Sequence, residues 1–192
     1  NEGGPEAKAA VVSSLSKNKD ANSASMLLKI AQTPGDEKQE AVNGYIRIIQ
    51  NGDFPAEQKV LMLQDAMSLA ANDEQRNTIL EEAGSNRTYL SLEFASRYLD
   101  EAALQQSAAY AVMHIALAHP EFNGQRVRDL LEKVSKILNG RDSQYERQAI
   151  KKHLDEMPAG EGFISMFNGK DLGGWKGLVE DPVKRAKMNA KQ

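Results

Sequence analysis

From Ala24 to Pro158 the apolar residues return every three or four positions, in runs repeatedly cut by a proline, a glycine or an Asn-Gly pair. A 3.6-residue period puts one apolar stripe along a helix, and that stripe has to be buried against another element. Runs of about 10 to 18 residues joined by turns of a few residues are what antiparallel helix hairpins need. The sequence therefore predicts an all-α fold of roughly eight or nine helices, its hairpins stacked on one another.

The leading residues, NEGGPEAKAAVVSSLSKNKD, predict a short helix from Pro5 to Ser16 that is only loosely attached. A helix from Ala24 to Gln32 carries Leu27, Ile30 and Ala31 and is broken by Pro34-Gly35, and the next, opening at Asp36, carries Val42, Tyr45, Ile46 and Ile49 up to Asn51-Gly52. Pro55 starts a helix with Val60, Leu63, Met67 and Ala70 on its stripe, widened by Leu61, Met62 and Leu69. Asn72 with Gln75 has a capping-box pattern ahead of Ile79, Leu80 and Ala83, and Gly84 is read as the stop. Leu90, Phe94 and Tyr98 mark a helix over Thr88 to Leu99, while Leu104, Ala108, Ala111, Ile115 and Ala118 mark one over Glu101 to Ala118. The strongest amphipathic pattern is Val127, Leu130, Leu131, Val134, Ile137 and Leu138, before Asn139-Gly140. Ser143 and Glu146 predict a capping box for a last helix with Ala149, Ile150, His153, Leu154 and Met157 facing inward until Pro158.

Three stretches match loosely: AVNGYIRII from Ala41, MLQDAMSLA from Met62 and AAYAVMHIA from Ala108, each apolar at its first, fifth, eighth and ninth positions. Their uneven spacing predicts a degenerate repeat of the HEAT or armadillo sort, an α-α superhelix whose neighbouring hairpins share a continuous core, with a compact orthogonal bundle as the alternative.

Chemistry is harder to find in these helices. His114 and His119 are five residues apart, so they do not share a face as an i, i+4 zinc pair does, and His153 stands among Lys151, Lys152, Asp155 and Glu156. These histidines are read as packed, helix-end or solvated residues. Glu81-Glu82 and Asp100-Glu101 are adjacent pairs whose members diverge on a helix, whereas glycoside cleavage needs two carboxylates about 5 to 10 Å apart across the sugar. Asp100-Glu101 is read instead as favourable charge at a helix N-terminus. Asn86-Arg87-Thr88 spells a glycosylation sequon by letters alone. No catalytic residue, metal ligand or cofactor is assigned. Cysteine is absent, which rules out disulfides and thiolate chemistry in this stretch.

The net charge is −3, and it is uneven: Phe163 to Gln192 holds 6 Lys/Arg against 3 Asp/Glu, leaving 18 basic and 24 acidic residues before it. An acidic body is a poor nucleic-acid surface, and the basic tail KRAKMNAK from Lys184 lacks the interleaved aromatics of a single-strand groove. No run approaches the roughly 18 apolar residues of a membrane span, so none is expected. Asn1 is read as either a processed secreted terminus or a recombinant one.

After Pro158 the texture changes. AGEGFISMFNGKDLGGWKG is glycine-rich, with Phe163, Ile164, Met166, Phe167 and Trp175 between the glycines, the pattern of β-hairpins rather than helices. The stretch Phe163 to Trp175, with its F-N-G-K-D-L-x-G-W core, resembles the opening of the 3-keto-disaccharide hydrolase domain family, a concanavalin-like β-sandwich described as glycoside hydrolase. LVEDPVKRAKMNAKQ resembles an early helical insertion of that family, and LMLQDAMSLAANDEQRNTILEEAG through YLDEAALQQSAAYAVMHIA resembles the helical-repeat segment upstream of that domain in multidomain members.

The resemblance implies a helical-repeat domain over residues 1–158 and the truncated start of a β-sandwich over 159–192, in an extracytoplasmic carbohydrate-active protein whose catalytic groups lie beyond Gln192. It makes Asp171 and Trp175 candidates for lining a sugar site, Trp175 being more simply a sandwich core residue. The partners it implies are the rest of the sandwich and, through the parent, carbohydrate. The expected function is a non-catalytic scaffold, inactive by itself. An independent adaptor binding another protein on a concave face is the alternative, and an enzyme with its site between helices is the third reading.

Overall fold

Short polar side chains start several of the helices, and tertiary contacts decide where the others run. The structure, a computed structural model, describes residues 5–160. Among the described residues there are nine α-helices and no strand: α1 Pro5–Leu15, α2 Ala21–Gln32, α3 Lys38–Asn51, α4 Ala56–Leu69, α5 Asp73–Asn86, α6 Tyr89–Ser96, α7 Gln105–Ala118, α8 Gln125–Ile137 and α9 Ser143–Glu156. The fold is all-α, as the apolar periodicity predicts. The strand-like stretch from Phe163 and the basic tail from Lys184 lie outside the described residues.

Asp20 caps α2 by accepting from the backbone N–H groups of Asn22 (2.9 Å) and Ser23 (3.0 Å), Asn72 caps α5 through Gln75 N (2.9 Å), and Thr88 caps α6 through Ser91 N (3.0 Å). Each satisfies a donor that has no intrahelical partner. At the other end of α5, Arg87 adopts the left-handed conformation, φ 51° and ψ 39°, in a position that favours glycine. Arg87→Gly is therefore expected to stabilise the protein by about 0.5–1 kcal/mol, after the added backbone freedom of glycine in the unfolded chain is set against the relieved strain. An unchanged or lower urea midpoint at constant m-value would show that the arginine side chain contributes more than its backbone costs.

Each helix packs on the next along the chain. Beyond that, α1 packs on α3, α3 on α5, α5 on α7 and α7 on α9, while α2 packs on α4 and α4 on α6. The larger helix–helix packings thus join helices one or two places apart in sequence. The odd-numbered helices form a continuous row, and α2, α4 and α6 a shorter one, with Leu27, Ile48, Leu63, Leu80, Phe94, Ile115 and Leu131 fully buried in the shared core.

Two glycines make this spacing possible. A Cβ on Gly44 in α3 would stand 2.1 Å from Ser16 Oγ, and one on Gly84 in α5 would stand 3.0 Å from Ala111 Cα on α7. Gly84 is therefore not the stop expected from sequence, since α5 runs two residues further to Asn86; it is buried in the last turn, where two backbones meet.

Other expectations are corrected by packing. The N-terminal helix is not loosely attached: Val12 is buried and α1 packs on both α2 and α3. Leu61 (56 % exposed) and Leu90 (38 % exposed) do not join the core, and Ala118 and Ala149 are exposed as well. Leu61 follows the truly buried stripe of Val60, Leu63 and Met67 by one position, and on α6 the buried side chains are Leu92, Phe94 and Ala95. The capping box expected of Ser143 and Glu146 is not formed. Asp142 precedes the helix without a side-chain cap, Ser143 Oγ accepts from Arg147 Nη2 (2.8 Å), and Glu146 Oε2 is buried without a hydrogen-bond partner among the described residues.

Candidate binding face

Along the odd-numbered row, three polar stripes run side by side. Gln39, Asn43, Arg47 and Gln50 follow one another on α3, and with Asn72, Glu74, Gln75 and Thr78 of the α5 start they line a cleft of about 460 Å³. Glu81 and Ser85, further along α5, face Ser107, Tyr110 and His114 of α7 across a second cleft of about 340 Å³, floored by the close contact of Gly84 with Ala111. Spacings of three and four residues keep each stripe on one face.

Side chains also tie the row together. Gln75 on α5 reaches Gln39 and Asn43 on α3, while Gln106 on α7 joins this row to the end of α8, donating from Nε2 to Ile137 O (2.8 Å) and accepting from Asn139 N (3.3 Å). Burial, followed by the nearby Glu146 charge, pushes the Tyr110 phenol up from its ordinary value, so it stays a neutral donor.

The candidate residues named from sequence fall elsewhere or apart. Glu81 is exposed, while Glu82 is half-buried beside Lys59, whose Nζ lies 3.9 Å away; burial pushes the Glu82 carboxyl up and the lysine opposes it. Asp100 and Glu101 do not sit at the start of α7, which begins only at Gln105. A turn intervenes, and the two carboxylates pair separately, Asp100 with Lys133 Nζ (2.6 Å) and Glu101 with Arg76 Nη2 (2.5 Å). These are exposed pairs that link neighbouring helices.

Asn86 spends its amide nitrogen on Ala56 O (2.8 Å) and Ser91 Oγ (3.0 Å), so the atom a glycan would use is tied into the α4–α6 junction. His114 is exposed on the second cleft, and His119 Nδ1 lies 2.8 Å from Glu121 Oε1 beyond the end of α7. Among the described residues no three His, Asp or Glu side chains come together as a metal site, and no helix is long and apolar enough to cross a membrane. Asp171 and Trp175 lie outside the described residues.

His153 behaves differently from its charged neighbours. It is half-buried on α9, its Nε2 has no hydrogen-bond partner among the described residues, and burial holds its imidazole below the ordinary 6.5, with Glu156 opposing. The unfolded chain therefore takes up this proton first as the pH falls. Stability from the neutral ring is complete above the unfolded value and drains away as the pH drops through about 6.5. His153→Leu is expected to raise the urea midpoint and flatten the loss of stability between about pH 7 and pH 5. A pH profile that keeps its wild-type slope in this variant would assign the loss to other groups.

Sequence reasoning passed over the face itself. Its signal was a polar stripe rich in amides, Gln39, Asn43 and Gln50, which is indistinguishable in pattern from an ordinary solvated side. Compared with known proteins, the chain matches no family model, no curated protein and no solved structure.

Proposed function

We propose that this chain is a non-catalytic helical scaffold, a HEAT- or armadillo-like superhelix of stacked hairpins. In this reading it precedes a domain of the 3-keto-disaccharide hydrolase kind in an extracytoplasmic, carbohydrate-active protein. The observation that carries the scaffold part is the packing of helices on partners one or two places away in sequence, the arrangement of a quasi-one-dimensional array. The hydrolase part rests on the sequence resemblance from Phe163 to Trp175. Hydrolysis needs groups fixed on opposite sides of a scissile bond, and in this reading the complete sandwich supplies them.

An independent protein-binding adaptor is the second reading, favoured by the polar clefts between α3, α5 and α7. Two measurements test the proposal. Ending the chain after Ala118 should leave α1–α7 folded, with residual helical dichroism and a lowered midpoint, because an array loses its last hairpin without losing the others; complete loss of helix would favour a single orthogonal bundle. Assayed on keto-disaccharides and plain glycosides, the chain should be inactive and a parent carrying the whole sandwich active. Turnover by this chain that disappears with Glu81→Gln or Glu82→Gln would place an active site in the helices.

A further inference from the structure

The cleft between α3 and α5 has a fixed hydrogen-bond polarity, set by one buried amide. Gln75 is 7 % exposed. Its Oε1 accepts from the backbone N–H of Ala71 (2.8 Å), and a backbone N–H can meet only the oxygen of an amide. The Gln75 NH2 group is thereby turned toward α3, where its two hydrogens go to Asn43 Oδ1 (2.7 Å) and Gln39 Oε1 (3.2 Å). Because each of those contacts needs an oxygen, the amides of Gln39 and Asn43 are oriented as well, with their own NH2 groups turned away from Gln75. Both residues line the cleft, and neither NH2 group has an acceptor among the described residues. One turn further on, Arg47 adds a guanidinium with no carboxylate partner among the described residues.

We propose that this cleft binds an extended polypeptide segment through its backbone carbonyls, the strand running along α3. Residues four apart on a helix rise about 6 Å, and carbonyls on one edge of an extended chain recur about every 6.6–6.8 Å, so Gln39, Asn43 and Arg47 each meet one carbonyl, with the long arginine absorbing the drift. The lining carries no aromatic ring on which a sugar could stack, Ile46 being its one apolar side chain. Recognition is of main chain, and therefore tolerant of sequence. This deepens the protein-binding reading of the helical body and rests on it.

The test uses the full chain, 15N-labelled, titrated with a blocked, uncharged heptapeptide of alternating alanine and threonine, and separately with maltohexaose. The side-chain NH2 resonances of Gln39 and Asn43 should shift with the peptide. Gln75→Glu keeps the side-chain shape and the Ala71 contact but replaces the donor with a carboxylate, which turns both NH2 groups inward. Asn43→Asp removes one donor from an exposed position that does not threaten the fold. Each should weaken peptide binding about tenfold or more, the worth of a hydrogen bond of about 1.4 kcal/mol. Unweakened binding in both variants, shifts with maltohexaose alone, or no shift with either probe would overturn the proposal. If the chain ended after Ala118 still keeps its helices while the titration fails, the ligand assignment is lost and the array is not.

Discussion

Leu131→Ala is expected to lower the unfolding free energy by about 2–5 kcal/mol, a large part of the roughly 5–15 kcal/mol that holds an ordinary domain together. Leu131 is fully buried on α8, on the stripe it shares with Val127, Leu130, Val134 and Leu138. Since α8 packs on both α7 and α9, the space left by the lost side chain is bounded by several helices, and a site held from more than one side relaxes poorly into a cavity. In an array the loss should also be local. Amide exchange is expected to accelerate in α8 and α9 while α3 to α5 keep their wild-type protection, because α8 packs mainly on α7 and α9. A change in urea midpoint within error would remove Leu131 from the core, and uniform acceleration across all helices would show that the molecule unfolds as one unit.

Gly84→Leu comes next, with an expected loss of roughly 3 kcal/mol, at the upper end of overpacking effects. Gly84 lies in the last turn of α5, where removing glycine returns at most about 1 kcal/mol of propensity, so on local grounds alone the substitution should stabilise. Tertiary contact reverses the sign. Even a methyl at this position stands 3.0 Å from Ala111 Cα and 3.2 Å from Ala111 Cβ, and the nearer of these atoms belongs to backbone that cannot rotate aside. Relief requires α5 and α7 to separate, opening contacts on both sides of the pair. Gly84→Ala, measured beside it, should come out near neutral, because a shift of a few tenths of an ångström costs about what propensity returns. A leucine variant as stable as wild type would mean that the two helices are not in contact at this point.

Much of the helical body could be read in advance. Val127 to Leu138 and Val42 to Ile49 carry long, regular stripes, and a stripe depends only on which residues follow one another. Asp20, although not foreseen as a cap, and Asn72 and Thr88, which stand where helices start, satisfy orphan donors within three residues of themselves, so their work is also local. Where the reading went astray, a partner distant in sequence had intervened. Ser143 and Glu146 have the letters of a capping box, yet Arg147 takes the Ser143 hydroxyl and packing buries a Glu146 oxygen away from the helix start. Gly84 has the letters of a stop, yet Ala111 makes it a contact.

The candidate face shows the same division. By itself the sequence determined the helices, their approximate ends and the buried stripes, because periodicity and capping act over a turn or two of chain. It also carried the resemblance from Phe163 to Trp175, which is a matter of residue order. Only the tertiary structure decided that Gln75 faces Gln39 and Asn43, more than thirty residues earlier, and so which way their amides point. The same is true of the odd-numbered row, where helices two apart lie side by side. A hydrogen bond between helices depends on their relative placement, which is set by the packing of two surfaces and is not written in either one alone.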